Sequence, residues 1–100
     1  MSVTTIPREV IDEILIHYKF LLSDVTFRGR ITYGYMSDML HSAKGPHAIF
    51  KIWLLFYKYS HNDYPPVLIR RMDMICTLLD TIHGVGREIE HQMLVGGVPF

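Results

Sequence analysis

The chain contains one cysteine, Cys76, in 100 residues, and this excludes an intrachain disulfide and any cysteine-rich zinc site. No segment approaches the roughly 18–20 consecutive apolar residues that a membrane span needs. The first dozen residues lack the basic segment and apolar stretch of a signal peptide. We therefore expect one soluble, cytoplasmic domain without a membrane partner, in which Cys76 is a small buried hydrophobic residue.

Patterns that carry catalysis or bind metals are also missing. The six histidines include no pair at the i, i+4 helical spacing and no H-E-x-x-H motif, which argues against a metal site. Gly84 and Gly86 lack the third glycine and the preceding strand of a dinucleotide loop, and no G-x-S-x-G nucleophile motif is present. The sequence predicts a protein that is not an enzyme and that uses no cofactor or metal.

The net charge is zero, but the charges are unevenly distributed. Residues 28–71 carry a net charge of +5, and the rest of the chain carries −5. A basic segment of this kind can be the electrostatic footprint of a phosphate-binding surface. Ordinary surface variation explains it equally well, so both interpretations stay open at this point.

The periodicity of apolar residues predicts a single, mainly helical domain. Apolar side chains at spacings of three and four indicate amphipathic helices. Thr32 is the expected N-cap of the second helix, and a short apolar run after two prolines predicts a strand. The predicted elements are a flexible leader at 1–6, a helical core at 7–83 with helices at 7–22, 33–42, 46–61 and 72–83, a short strand near 66–70, and a tail at 95–100.

The helix at 46–61 is apolar on nearly every side, so it is either central in the core or buried in a partner. Its large side chains are too many to face one small core. The sequence therefore predicts a second apolar face for self-association or a partner. The candidate interface residues are Phe50, Trp53, Leu54 and Tyr57.

Four short segments occur in an order that resembles a known family. They are Arg28–Gly34, Met36–Leu40, Gly45–Ala48 and Pro66–Ile69. They resemble, in turn, the start of the helix-turn-helix, its first helix, the beginning of the recognition helix and the strand before the active site. The family is that of the alkylguanine DNA alkyltransferases and the alkyltransferase-like proteins. The resemblance implies a mainly α, winged-helix-like helix-turn-helix domain with a small β component.

The same resemblance implies that alkyl transfer is lost. Where the family has Pro-Cys-His-Arg, this chain has Arg70-Arg71-Met72-Asp73, so Arg71 stands at the position of the nucleophile. Phe50 aligns with the arginine that the family inserts into the base stack, and Trp53 aligns with a glycine of the recognition helix. Tyr33 matches the family's tyrosine close to a backbone phosphate. The lost motif and the small size would suit a phage or mobile-element protein.

Two hypotheses about function follow. The first is a non-enzymatic protein that binds double-stranded DNA mainly through its phosphate backbone. The second is a protein-interaction module or homodimer built around the helix at 46–61. The candidate nucleic-acid contacts of the first hypothesis are Arg28, Arg30, Thr32, Tyr33, Ser37, Lys44, His47, Lys51, Arg70 and Arg71.

Overall fold

A computed structural model of the chain describes residues 5–82. They form four α-helices: α1 (Arg8–Ser23), α2 (Tyr33–Ser42), α3 (Pro46–Ser60) and α4 (Pro66–Asp80). The first three agree with the predicted helices to within one residue at each end, and the mainly α class is confirmed. None of the helices within residues 5–82 is both long enough and apolar enough to cross a membrane.

The strand predicted near 66–70 is wrong, because these residues form the beginning of α4. Pro66 occupies the first helical position, where its fixed φ and missing N–H are tolerated. Leu68 then belongs to the same buried helical series as Met72, Ile75 and Leu79. A short apolar run fits either a strand or a buried helical turn, and here the continuing helical spacing decides. The helix predicted at 72–83 therefore starts six residues earlier.

Pairing of β type is limited, within residues 5–82, to an isolated antiparallel bridge between Thr5 and Lys44. This bridge ties the N-terminal segment to the connection between α2 and α3, and the next residue, Ile6, is buried in the core. The predicted flexible leader at 1–6 is thus wrong for these two residues. The predicted tail at 95–100, and the end of the predicted core at residue 83, lie outside the described residues.

The helices pack as a sequence of pairs, with α3 against α4, α4 against α1, and α1 against α2. Their facing sides form one hydrophobic core. Its largest fully buried side chains include Tyr18 from α1, Leu40 from α2, Phe56 from α3 and Met72 from α4. The order of packing leaves one long side of α3 facing away from the core.

The connections on either side of α2 are set by specific residues. The Thr32 hydroxyl accepts a hydrogen bond from the backbone N–H of Tyr35, so the predicted N-cap is confirmed. Between α2 and α3, Gly45 adopts φ 86°, a conformation that residues with a side chain rarely take. Pro46 follows at the first position of α3. The turn between α2 and α3 is consequently only three residues long.

Candidate nucleic-acid interface

Five of the large apolar side chains of α3 are buried, and Leu54, Leu55 and Tyr57 are half-buried. Ile49, Ile52 and Phe56 are buried, and Phe50 and Trp53 are each only 6% exposed. The ring of Trp53 is stacked between Phe50 and Tyr57, with ring centroids 5.9 Å and 4.7 Å apart. The prediction that Phe50 and Trp53 belong to an exposed apolar face is wrong, whereas the other two predicted interface residues, Leu54 and Tyr57, are half-buried.

The exposed side of α3 is basic. His47, Lys51 and Lys58 are all exposed, and their spacings of four and seven residues place them on one side of the helix. We call these three residues the α3 stripe. It is about 16 Å long, because each helical residue rises 1.5 Å. No Asp or Glu occurs in α3, so Lys51 and Lys58 face no carboxylate on their own helix.

Arg28 and Arg30 lie on the connection between α1 and α2, which passes the C-terminal end of α3. The backbone N–H of Arg28 donates to the Tyr64 hydroxyl at 3.3 Å. The backbone of Arg30 lies close to the Tyr59 hydroxyl near the end of α3. Both arginine residues are exposed. The backbone is therefore held by tyrosines while the two guanidinium groups extend from an anchored segment.

An aromatic cluster packs against the connection between α1 and α2 and holds it in place. The ring of Phe27 packs edge-on against Tyr18 and Tyr59, and it also contacts Tyr64. Gly29 lies so close to the Phe27 ring that an added Cβ would overlap it. Glycine is therefore required here for the chain to pass over the ring.

Tyr18 adds a polar anchor from the core. Its hydroxyl donates to the backbone carbonyl of Ile31. Burial raises the pKa of Tyr18 to about 12, so the hydroxyl keeps its proton and remains a donor at neutral pH. The segment between Phe27 and Ile31 is thus attached to α1 and α3 by rings and by hydrogen bonds.

Two neighbouring clefts connect the α3 stripe with Arg28. A cleft of about 420 Å³ is lined by Tyr57, Lys58, His61 and Asn62. A second, of about 520 Å³, contains Arg28, and Asn62 lines it as well. Within residues 5–82, Asp63 is the only carboxylate that lines either cleft. Lys58 and Arg28 therefore lie at two clefts that share Asn62, and Asp63 adds one negative charge at the second.

The start of α2 lies beside this surface. Arg30, Thr32 and Tyr35 line a shallow cleft together, and Tyr33 is exposed. A side chain added at Gly34 would meet nothing within 4 Å, so the first turn of α2 is open to a ligand. Backbone N–H groups at a helix N-terminus favour an anion, and the first turn of α2 carries no acidic residue.

Of the remaining candidates, Lys44 is exposed in the turn before α3 and extends the α3 stripe at its N-terminal end. Ser37 lies in α2, where its hydroxyl and its carbonyl both contact Nδ1 of His41. Ser37 is therefore engaged within its own helix.

Arg70 and Arg71 are separated from the α3 stripe, because α4 directs them towards α1. The guanidinium of Arg71 donates to Nδ1 of His17 at 3.1 Å and lies 4.1 Å from the centre of the Phe20 ring. Partial burial, with the positive charge of Arg71, lowers the pKa of His17 and favours the neutral imidazole that accepts this bond. Arg71 thus serves the packing of α1 on α4.

Sequence reasoning missed several residues of the surface. Lys58 was detectable, since it continues the helical spacing of His47 and Lys51. No spacing pattern in the sequence pointed to Asn62, Tyr59 and Tyr64. Their role depends on the connection between α1 and α2, which crosses the end of α3. Asn62 in addition donates to the carbonyl of Lys58 at 2.9 Å and stabilises that end of the helix.

The groups with reactive chemistry lie away from this surface. Cys76 is buried, as predicted, and burial raises the pKa of its thiol to about 12. Within residues 5–82 no group of three or more His, Cys, Asp or Glu side chains is placed to hold a metal ion. Comparison with family models, with curated proteins and with solved structures finds no match to this chain.

Proposed function

We propose that the protein is a non-enzymatic nucleic-acid-binding protein that lays the exposed side of α3 along a duplex. The observation that carries the proposal is the charge of that side. The α3 stripe is purely basic, and Lys44 and Arg28 extend it at its two ends. Lysine and arginine side chains that neutralise phosphates supply most of the affinity in binding of this kind.

The composition of the stripe favours contacts to the phosphate backbone over reading of bases. Reading a base sequence takes several different side chains on the helix that enters the major groove, with arginine or lysine contacting guanine, asparagine or glutamine contacting adenine, and carboxylates contacting cytosine. In α3 the polar side chains on the exposed side are two lysines and one histidine. We therefore propose binding with little preference for sequence.

The order of elements supports a helix-turn-helix identity, which within residues 5–82 comes without the strands of a wing. The helix α2, a three-residue turn with a glycine at positive φ, and α3 follow one another as in that motif. Tyr33 and the open first turn of α2 lie where the resemblance to the alkyltransferase family puts a phosphate contact. On this proposal Arg28, Arg30 and Tyr33 hold one backbone strand while α3 approaches the groove.

The alternative, a protein-interaction module built on α3, has less support. Its premise was that Phe50 and Trp53 are exposed, and both are buried. Leu54 and Tyr57 are only half-buried, but Leu54 lies beside the lysines and offers a small apolar area. None of the large apolar side chains of α3 belongs to the exposed class.

Salt dependence of binding tests the proposal. Four cations at phosphates (Lys51, Lys58, Arg28 and Arg30) predict a slope of log K against log salt of about −3 to −4, which lowers affinity about 100-fold between 50 and 200 mM salt. Fluorescence anisotropy with a labelled generic duplex measures this slope. Two duplexes of unrelated sequence should give similar affinities. The absence of binding at low salt and micromolar protein, or an affinity independent of salt, would contradict the proposal.

A further inference from the structure

Four rings follow one another along one side of α3 and into the turn after it. They are Phe50, Trp53, Tyr57 and His61, and we call them the ring series. Their spacings of three and four residues place them on the same side of the helix. The ring centroids of Trp53 and Tyr57 are 4.7 Å apart, and those of Tyr57 and His61 are 4.3 Å apart. The rings therefore form a continuous series of contacts that ends at His61.

Exposure to solvent increases along the ring series. Phe50 and Trp53 are buried, Tyr57 is half-buried and His61 is exposed. The imidazole of His61 is held in place, because its Nδ1 donates to the backbone carbonyl of Tyr57 at 2.8 Å. A flat ligand that stacks on a ring already held in place immobilises little that was mobile before, so little side-chain entropy is lost on binding.

The cleft at the end of α3 combines this ring with groups that suit a nucleotide. His61 and Tyr57 line the cleft of about 420 Å³ together with Lys58 and Asn62, and its volume is in the usual range of small-ligand pockets, roughly 300–1,000 Å³. The nearest lining carboxylate, Asp63, belongs to the neighbouring cleft. Lys58 is also part of the α3 stripe, so one strand can contact the stripe through its phosphates and reach the cleft with its next base.

We propose that this cleft binds an unpaired nucleobase, stacked on His61, from the single-stranded extension of a duplex that lies along α3. The inference rests on the proposed nucleic-acid binding and names its preferred substrate, a junction between double and single strand. Unpaired bases expose faces that stack on aromatic side chains, histidine included, whereas bases inside a duplex are stacked on one another. Such stacking tolerates every base, in keeping with binding that has little preference for sequence.

The affinities of the full chain for three duplexes test this preference. One duplex carries a short extension of unpaired thymidines at its 3′ end, the second carries the same extension at its 5′ end, and the third is blunt with the same total number of phosphates. Fluorescence anisotropy at one moderate salt concentration measures the three affinities. At least one extended duplex should bind about fivefold or more tightly than the blunt duplex, which is the lower end of what stacking of a base on an aromatic ring contributes.

Variants at His61 connect the preference with the ring. His61→Ala should bring the ratio of the extended to the blunt affinity close to unity, whereas His61→Phe should retain the preference, because a phenyl ring stacks even without the hydrogen bond of Nδ1. The matched control is His41→Ala, which should keep the ratio of the parent. His41 is an exposed histidine on α2 whose Nδ1 contacts the carbonyl of Ser37, also at 2.8 Å, and it does not line the cleft.

The possible results separate this inference from the proposed function. Equal affinities of the parent chain for blunt and extended duplexes would overturn the inference and leave duplex binding in place. An absence of binding to all three duplexes would overturn both. A ratio that His61→Ala leaves unchanged, or that His41→Ala lowers equally, would show that the cleft is not the site. A mononucleotide that competes as effectively as the extended duplex would overturn the strand as the ligand.

Discussion

Charge reversal in α3, by Lys51→Glu together with Lys58→Glu, is expected to weaken binding to a generic duplex at least about tenfold at moderate salt. Two phosphate contacts would be lost, so the slope of log K against log salt should become less steep by about 2. Both side chains are exposed, and the helix should remain folded. Fluorescence anisotropy over a salt series measures both quantities.

The matched control is a second double charge reversal, made on α1 instead of α3. Arg8 and Lys19 are exposed on α1 and lie outside the α3 stripe, so Arg8→Glu with Lys19→Glu should change affinity much less. A larger loss of affinity in the α3 variant than in the α1 variant indicates a defined contact surface. Equal losses indicate attraction by overall charge, although charges more than about 10 Å apart are largely screened at 0.1 M salt. Equal losses in the two double variants would show that α3 is not the contact surface.

Removal of the Phe56 ring is expected to produce the largest loss of stability. Phe56 is fully buried in α3, and its ring packs edge-on against Tyr18 of α1 and Tyr59. Phe56→Ala should lower the free energy of unfolding by about 3–5 kcal/mol, since it leaves a cavity as well as removing apolar contacts. Unfolding in urea, followed by circular dichroism, measures the change.

The control for this variant is a large-to-small change at the surface. Val25 is 98% exposed, and Val25→Ala should change the free energy of unfolding by less than about 0.5 kcal/mol. A loss below about 1 kcal/mol for Phe56→Ala would contradict the packing described for α3, given what buried aromatic truncations usually cost. The orientation of the α3 stripe depends on that packing, because the buried side of α3 determines which side faces outward.

The helices were predictable where apolar spacing is regular and a cap is present. Thr32 marked the start of α2, and the Gly45-Pro46 pair marked the start of α3. The start of α4 was not predictable from the sequence, because Pro66 and the apolar run after it fit an edge strand as well as a first helical turn. Only the burial of Leu68 in register with the rest of α4 distinguishes them.

The candidate surface was predictable in its charge but not in its arrangement. The basic excess between residues 28 and 71 is visible in the sequence. The sequence does not show that Arg71 turns to His17 on α1, or that the connection carrying Arg28 crosses the end of α3. Nor could it tell which apolar side of α3 would be covered, because that depends on contacts with α4 and α1 that are distant along the chain.

The most direct measurement of the central claim is a nuclear magnetic resonance titration of the ¹⁵N-labelled chain with a short generic duplex. We predict that the largest amide shifts fall on His47, Lys51 and Lys58 and on the connection that carries Arg28 and Arg30. Amides of Arg8 and Lys19, which are exposed on α1, should change less. Binding that shifts the amides of α1 and leaves α3 unchanged, or a spectrum that duplex does not alter at low salt, would contradict the assignment of α3 as the nucleic-acid-binding surface.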